Sequence, residues 1–154
     1  MLGKLTRWLR ILGQDVKYSN ELDDAELIAN AKEDTRILLT KDLNLYRQAI
    51  AKNVDAFYLE GRTRTEKLAN IAKKFKIQLS VDMTRSRCPK CNQEVEPIAK
   101  QKVKDKVKET TFKYYNEFWK CPKCSQIYWQ GAHWERIRRT LEATREKIGR
   151  KNKG

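Results

Sequence analysis

The segment Arg36-Ile37-Leu38-Leu39-Thr40 contains three consecutive large apolar residues between a charged residue and a hydroxyl residue. A continuous apolar run of this kind is typical of a strand that is buried on both faces, as the strands of parallel sheets are. Parallel strands need crossover connections, which are usually helices, so the sequence on either side should show helical periodicity. The segment therefore predicts an α/β fold.

Helical periodicity is present on both sides of that strand. Four helices are predicted, and their apolar faces consist of Leu5, Trp8, Leu9 and Leu12; Leu27, Ile28 and Ala31; Leu45, Tyr46, Ala49 and Ile50; and Leu68, Ile71, Ala72 and Phe75. Gly13 is placed to end the first helix, and Thr63 and Glu66 have capping-box spacing at the start of the fourth. Further strands are predicted at residues 16–18, 54–59 and 77–81. Strands that alternate with single helices indicate a parallel sheet with flanking helices.

Acidic side chains follow two of the predicted strands. Asp42 comes two residues after Thr40, and Asp23 and Asp24 lie in the loop after the preceding strand. Ligands of open parallel sheets bind beyond the carboxyl ends of the strands, so these carboxylates are expected to face one crevice, where they would suit Mg²⁺ or Mn²⁺. Asp at the start of a helix is also a favoured N-cap, and both interpretations stay open for these residues.

All four cysteines occur in two copies of one tetrapeptide, Cys88-Pro89-Lys90-Cys91 and Cys121-Pro122-Lys123-Cys124. Two Cys-x-x-Cys turns complete a closed tetrahedral zinc site, which leaves no open position for chemistry. The long spacer, residues 92–120, suits a ribbon with an insertion. One alternative is two disulfides, which occur in secreted proteins, but residues 1–8 have no apolar stretch of signal-peptide length. The other is a redox pair, which would not need a second Cys-x-x-Cys motif. Structural zinc is therefore expected.

Basic residues are concentrated in the half of the chain that contains the cysteines. The net charge is +14, of which residues 1–82 account for +3 and residues 83–154 for +11. A chain this basic usually binds a polyanion, and RNA is the expected partner; a surface kept charged for solubility is the alternative. No apolar run approaches the length of a membrane span, so a soluble, cytoplasmic protein is expected.

The segment between the two tetrapeptides contains lysines at positions 100, 102, 104, 106 and 108. In a β-hairpin arm this period of two would place them on one face, towards successive phosphates; a disordered, solvated loop is the alternative. The aromatic residues that follow either stack on bases or cover the metal and the neighbouring domain, and the second interpretation is preferred for most of them. Residues 135–147 are predicted to form a helix with a basic surface.

Several of these motifs occur together in a known family. Residues 1–16, which begin Met1-Leu2-Gly3-Lys4-Leu5, resemble the first helix of the Mut-seven C-terminal ribonuclease domains, a branch of the PIN-like nucleases. Asp24-Ala25-Glu26-Leu27-Ile28 resembles the acidic helix start of that family, and Ile37-Leu38-Leu39-Thr40-Lys41-Asp42 resembles its strand and second acidic position. Ser86-Arg87-Cys88 and Tyr128-Trp129 resemble parts of its zinc ribbon.

The resemblance implies a PIN-like α/β domain at residues 1–82, a zinc ribbon with a basic insertion at residues 83–134, and a basic helix and tail at residues 135–154. It also implies metal-dependent RNase activity, in which Asp24 and Asp42, carried over by position, bind Mg²⁺ or Mn²⁺. The ligands of the structural zinc are Cys88, Cys91, Cys121 and Cys124. The side chains expected to contact RNA are Lys4, Arg7, Lys41, Arg85, Arg87, His133, Arg136, Arg138 and Arg139.

The chain departs from the family at its start. In the family a strand that ends in an acidic residue precedes the first helix, whereas this sequence begins at Met1 of that helix. Either the recorded start lies downstream of the true one, or another chain supplies the acid, or the domain has lost catalysis. The leading expectation is a metal-dependent ribonuclease of the PIN-like class that acts on RNA. The alternative is a catalytically inactive zinc-ribbon factor that binds RNA, alone or within a ribonucleoprotein such as the ribosome.

Overall fold

The computed structural model describes residues 2–152, and helices alternate with short strands until the chain enters an antiparallel ribbon. The helices are α1 (Leu2–Ile11), α2 (Asp24–Glu33), α3 (Leu43–Ala51), α4 (Arg64–Phe75), α5 (Glu109–Tyr114) and α6 (Trp134–Asn152), with a 3₁₀ turn at Lys100–Val103. The strands are β1 (Leu38–Thr40), β2 (Ala56–Tyr58), β3 (Glu96–Ile98), β4 (Phe118–Lys120) and β5 (Ile127–Tyr128). Met1 and residues 153–154, the end of the predicted basic tail, lie outside the described residues.

β1 and β2 form a two-stranded parallel sheet, in which Leu38 lies opposite Ala56. The helix α3 connects the two strands and packs against both, as a crossover helix of a parallel sheet must. The predicted strands at residues 36–40 and 54–59 are confirmed at their centres. The mixed α/β fold with a small parallel sheet and flanking helices is therefore confirmed.

The predicted strand at residues 16–18 is wrong, because the side chains of Arg10 and Asn92 bond to the main chain of Val16. The carbonyl oxygen of Val16 accepts hydrogen bonds from Nε of Arg10 at 3.0 Å and from its Nη2 at 2.8 Å. The main-chain N–H of Val16 donates to Oδ1 of Asn92 at 3.0 Å. With both groups bonded to side chains, Val16 has none left for a strand ladder.

The predicted strand at residues 77–81 is also wrong, because main-chain groups of this segment form hydrogen bonds with the neighbouring helices. The N–H of Ile77 donates to the carbonyl of Ala72 at 3.0 Å and so completes the end of α4. The carbonyl of Leu79 accepts a hydrogen bond from the guanidinium of Arg145 in α6. The segment therefore follows the helices and does not extend the sheet.

Helix ends follow the predicted local chemistry. Gly13 adopts a φ of +91° just beyond α1, a conformation that glycine tolerates best. Thr63 and Glu66 form the predicted capping box of α4, since the Thr63 side chain accepts from the N–H of Glu66 and the Glu66 carboxylate accepts from the N–H of Thr63. Among the described helices, none is both long enough and apolar enough to cross a membrane.

The core of the first half lies between α1, α4 and α6. Its buried side chains are Leu5, Leu9, Leu12, Leu59, Leu68, Ile71, Ala72, Leu79 and Leu141. Leu141 belongs to α6, so the C-terminal helix returns from the ribbon and packs against α4. A second cluster joins α2, α3 and the sheet through Ile28, Ala31, Leu45, Ala49 and Val54. The sheet is thus covered by helices that come from both ends of the sequence.

The ribbon is a three-stranded antiparallel sheet in the order β3-β4-β5, and Trp119 lies opposite both Pro97 and Tyr128. The basic insertion between β3 and β4 forms the 3₁₀ turn and α5, which pack on the sheet through the fully buried Val103. Both interpretations of the insertion, a hairpin arm and a disordered loop, are therefore wrong. The alternating lysines do not share a strand face because their segment turns.

The ribbon is attached to the end of α1 by a set of hydrogen bonds that we call the latch. Nη1 of Arg10 donates to the carbonyl of Pro89 at 2.8 Å, while the rest of the same guanidinium holds Val16. The hydroxyl of Ser86 donates to the carbonyl of Ile11 at 2.9 Å, and Nδ2 of Asn92 donates to Asp15 at 2.6 Å. The two halves of the chain therefore meet at a directional polar interface that is partly buried around Arg10 and Ser86 and exposed at Asn92 and Asp15.

Replacing Arg10 with Met should lower the free energy of unfolding by about 2 kcal/mol, because two partly buried carbonyl groups lose their donors. For a chain of this size that is a fall in Tm of roughly 4–8 °C, measured on zinc-loaded protein. Arg7→Met is the matched control, since Arg7 is exposed on the same helix. Equal effects of the two substitutions would show that the latch contributes nothing specific.

Candidate functional site

The four cysteines come together where the two knuckles of the ribbon face each other. Their Sγ atoms all lie within 4.8 Å of one another, with 3.6 Å between Cys88 and Cys124 and 3.2 Å between Cys91 and Cys121. A tetrahedral zinc ion with four Zn–S bonds of about 2.3 Å needs sulfur–sulfur distances of about 3.8 Å. The cysteines are therefore positioned to bind one metal ion, as a structural zinc site requires.

The two knuckles have the same backbone construction. In the first, the N–H of Asn92 donates to the carbonyl of Cys88 at 2.8 Å, and in the second the N–H of Ser125 donates to that of Cys121 at 2.9 Å. Asn92 and Ser125 follow the second cysteine of each knuckle and have φ values of 73° and 65°. This left-handed residue reverses the chain, so that both thiols of a knuckle face the same point.

The thiols differ in how readily they lose a proton. Burial acts to raise the pKa of Cys121, but hydrogen bonds from the N–H of Cys124, the Cys91 thiol and the N–H of Lys123 outweigh burial. Together they lower the pKa of Cys121 to about 7. Burial raises the pKa of Cys91 to about 12. Because thiolates are the ligands, a binding ion must displace protons from this cluster, and metal affinity should fall as the pH falls.

Tyr128 covers the metal centre from β5. Its hydroxyl lies 2.9 Å from Sγ of Cys88. Burial, followed by the neighbouring Cys88, raises the pKa of Tyr128, so the phenol keeps its proton and can donate a hydrogen bond to Sγ of Cys88 when a bound metal ion makes that sulfur a thiolate. Trp119 and Met83 pack on the same cluster. The preferred interpretation of the aromatic residues as a cover for the metal agrees with these contacts.

Tyr128→Phe should weaken zinc binding by about tenfold to a hundredfold, the usual effect of removing a hydrogen bond to a metal ligand. Competition with a chelator of known affinity measures the change. Tyr114→Phe is the control, because Tyr114 is 79 % exposed on α5. An unchanged zinc affinity in Tyr128→Phe would mean that the contact with Cys88 does not stabilise the thiolate.

The predicted catalytic acids lie at two helix starts, and Asp42 stands two residues beyond the carboxyl end of β1. Asp42 is the N-cap of α3, and its Oδ1 accepts from the N–H of Asn44 at 2.9 Å and from that of Leu45 at 3.3 Å. Asp23 is the N-cap of α2 and forms a capping box, whereas Asp24 is the first residue of that helix. The capping interpretation is confirmed for Asp42 and Asp23. The catalytic assignment of Asp24 and Asp42 stays a prediction.

The fit of Mg²⁺ or Mn²⁺ to this edge is incomplete. Within the described part of the chain, the four cysteines form the one group of three or more potential metal ligands, and neither Asp24 nor Asp42 joins a third carboxylate. Mg²⁺ is commonly held by one or two carboxylates together with substrate phosphates, so Asp24 and Asp42, the second of which is engaged as a cap, would need the phosphates of bound RNA or a further acid to complete a site. His133, which is expected to contact RNA, does not belong to the group formed by the four cysteines.

The side chains predicted to contact RNA lie on α1, just after β1, at the entry to the ribbon, and just before and along α6. Those that are exposed are Lys4, Arg7, Arg85, His133, Arg136, Arg138 and Arg139. Lys41 and Arg87 are half-buried. Arg87 donates to the carbonyl of Asn92 at 2.9 Å and approaches Glu94 at 3.6 Å, so its guanidinium helps to build the first knuckle. The role of these residues in RNA binding stays a prediction.

Two residues of the site were not identified from the sequence. Arg10 is a buried cation next to the first knuckle, where burial lowers its pKa and the nearby Cys88 and Cys91 oppose that change. Asn92 bonds to Val16 and Asp15, in the segment after α1. For Arg10, the sequence offers one signal, which is the position of an arginine at the C-terminal end of an apolar helix face. The partners of Arg10 in the ribbon are too distant in sequence to be inferred.

Comparison with known proteins gives one match. The family model described as Mut7-C RNAse domain matches residues 1–141. Searches among curated proteins and among solved structures returned no match. The matched range includes β1 with Asp42, all four cysteines and most of the basic α6.

Proposed function

The chain belongs to the Mut7-C RNAse domain family, and on that basis we propose that the protein is a ribonuclease that cleaves RNA with the help of a divalent metal ion. The proposed metal-binding acids are Asp24, the first residue of α2, and Asp42, which stands just beyond the carboxyl end of β1, where ligands of parallel sheets bind. The observation that carries the proposal is the family match, which spans both the acidic edge and the ribbon.

The distribution of charge supports RNA as the substrate. The half of the chain that contains the ribbon and α6 carries +11 of the net charge of +14. On α6 the guanidinium groups of Arg136, Arg138 and Arg139 are exposed, and the last two are only weakly paired with Glu135, at 3.6 and 3.7 Å. Exposed arginines attract phosphates and release the counterions that surround them.

The active form is proposed to include a third acid, because among the described residues neither Asp24 nor Asp42 belongs to a group of three potential metal ligands. That acid would come either from a segment ahead of α1 or from another chain. The alternative function, RNA binding without cleavage, is favoured by one observation: the Asp42 carboxylate already caps α3. The same scaffold would then bind RNA through its basic half and do no chemistry.

A cleavage assay separates the two functions. Two forms of the protein are compared: residues 1–154, and a fusion that adds an extended aliphatic segment ending in Asp ahead of α1. Each form is incubated with single-stranded RNA, either with Mn²⁺ or with a chelator in excess. Mn²⁺-dependent cleavage by either form is the expected result. RNA binding by both forms without cleavage at any metal concentration would reject the ribonuclease and leave the binding function.

RNA affinity should depend steeply on salt and should reside in the basic half. If about five phosphates are contacted, affinity for single-stranded RNA falls roughly a hundredfold between about 50 and about 200 mM salt. Changing Arg136, Arg138 and Arg139 together to Gln should weaken binding and flatten this dependence.

The matched control changes Lys32, Lys73 and Lys74 to Gln, which removes the same charge from exposed positions of the first half. Both triple variants are measured by fluorescence anisotropy with a labelled RNA at several salt concentrations. If the two lose equal affinity, binding follows net charge alone and α6 is not the RNA-binding surface.

A further inference from the structure

The basic insertion between β3 and β4 is held against the ribbon at several points. Val103 is fully buried, and Phe112 and Tyr115 of α5 pack on the same apolar cluster. The ammonium of Lys100 lies 4.8 Å from the centre of the Phe112 ring and donates to Oδ1 of Asn116 at 3.0 Å. These contacts join the 3₁₀ turn to α5, so the outer side of the insertion is a defined surface.

That outer side is rich in lysine. The basic insertion, residues 99–117, contains six lysines and three acidic residues, a net charge of +3. Within the described part of the chain, no ion pair includes any of the six lysines. Five of them are exposed, namely Lys102, Lys104, Lys106, Lys108 and Lys113. Ammonium groups that no carboxylate neutralises attract a polyanion, because each phosphate contact releases counterions.

Tyr114 stands next to Lys113 at the end of α5, and it is 79 % exposed. Ile37 and Ile50, the next most exposed large apolar side chains among the described residues, are 48 % exposed. The other Tyr residues, and every Phe and Trp, of residues 83–152 are buried or half-buried. Covering the metal or the neighbouring domain therefore explains the other aromatic residues of the ribbon half but not Tyr114.

The lysines and the ring together distinguish between classes of polyanion. A base of single-stranded RNA stacks on an exposed tyrosine ring while its phosphates contact ammonium groups. Duplex RNA keeps its bases paired, and an acidic peptide has no base to stack. A membrane-bound helix needs a broad apolar face, which α5 does not present outwards because Phe112 and Tyr115 pack on the ribbon. Single-stranded RNA is the partner that uses both features.

We propose that the basic insertion binds single-stranded RNA, with a base stacked on Tyr114 and phosphates bound by the exposed lysines. The inference deepens the proposed function and rests on RNA as the partner, since it specifies RNA with unpaired bases. The surface lies on different elements from the proposed metal-binding acids and from α6. Its variants therefore leave both of those regions unchanged.

The first test measures fluorescence anisotropy of a labelled oligouridylate, and of an abasic RNA of the same length, with the zinc-loaded chain. Tyr114→Leu should weaken oligouridylate binding roughly fivefold to a hundredfold, the usual effect of removing one stacking residue. It should leave abasic RNA binding unchanged, because that RNA has no base to stack. Tyr114→Phe keeps the ring and should keep the affinity. Tyr18→Leu is the matched control, since Tyr18 is 46 % exposed between α1 and α2.

The second test concerns the phosphates. Changing Lys106, Lys108 and Lys113 together to Gln should lower the slope of log affinity against log salt by about 2, because each phosphate contact on a single strand contributes about 0.7. The change should be the same for oligouridylate and for abasic RNA. The triple lysine variant of the first half, used above as a control for α6, should keep the wild-type slope.

Three outcomes would overturn this inference alone and leave the proposed function intact. Equal oligouridylate binding by the wild type and Tyr114→Leu would exclude stacking. Equal weakening of oligouridylate and abasic RNA by Tyr114→Leu would show that the ring acts on something other than a base. Polyglutamate bound with the same dependence on Tyr114 would assign the surface to an acidic protein segment. A wild-type chain that binds no RNA at low salt would instead remove RNA as the partner, and the proposed function would fail as well.

Discussion

Cys121→Ser should abolish zinc binding and unfold the ribbon, the largest effect expected of any single substitution in this chain. Metal binding in closed cysteine sites supplies about 10–16 kcal/mol of apparent free energy, which is folding free energy when the site does not exist in the unfolded chain. Cys121 is fully buried, and the sheet around it has strands of only two or three residues. Strands this short pair only two or three residues each, so the metal is expected to supply most of the free energy that holds the ribbon together.

Elemental analysis and NMR spectra of the purified variant measure this prediction. Lys123→Ala is the control, because Lys123 is exposed in the same knuckle and is not a ligand. Zinc loss should also expose α1, since the latch at Arg10 depends on the position of Pro89. A wild-type chain that contains no metal, or a Cys121→Ser variant with an unchanged ribbon spectrum, would contradict the structural role of zinc.

Asp42→Asn should reduce Mn²⁺-dependent RNA cleavage to the level of the metal-free control while leaving stability nearly unchanged. Asn is almost as good an N-cap as Asp, so the bonds to the N–H groups of Asn44 and Leu45 survive the substitution. The carboxylate charge that the proposed ion needs is lost. RNA affinity should stay equal or rise slightly, because a negative charge near the phosphates is removed.

Two further variants separate the cap from the chemistry. Asp42→Ala should lose activity and also about 1 kcal/mol of stability, because the cap is removed. Asp23→Asn is the matched control: Asp23 caps α2 in the same way but is not a proposed metal ligand. Cleavage rate, RNA affinity and thermal unfolding are measured for all three on the form that cleaves RNA. Full cleavage by Asp42→Asn would remove Asp42 from the active site and leave it as a helix cap.

Local chemistry made the central elements predictable. The apolar run of β1, the capping box of α4 and the stop at Gly13 each depend on residues close together in sequence, and the structure contains all three. The strand at residues 16–18 failed because Arg10 and Asn92 take its main-chain groups, and Asn92 lies 76 residues from Val16. The pattern of apolar residues in residues 16–18 contains no information about so distant a partner.

The same distinction applies to the site. The four cysteines were predictable because the ligands stand in a repeated tetrapeptide, and the structure brings all four together. The sequence predicted only that most of the aromatic residues would cover the metal or the neighbouring domain. The particular contact between Tyr128 and Cys88 could not be predicted, since the two residues are 40 positions apart. For Asp42 the sequence left two roles open, a helix cap and a metal ligand. The geometry shows the cap. The role as a metal ligand depends on a further acid, which residues 2–152 do not bring beside Asp42.

The latch also sets an order of events during synthesis. Arg10 and its acceptor Pro89 are 79 residues apart, so at about 5–20 residues per second α1 is made roughly 4–16 s before its anchor. Throughout that interval the guanidinium that will be buried remains hydrated, and the end of α1 has no fixed neighbour. Cys121 and Cys124 are made later still, and α6, which completes the core around Leu141, is made after them. Completion of the first half therefore waits for the synthesis of α6 and for the supply of zinc.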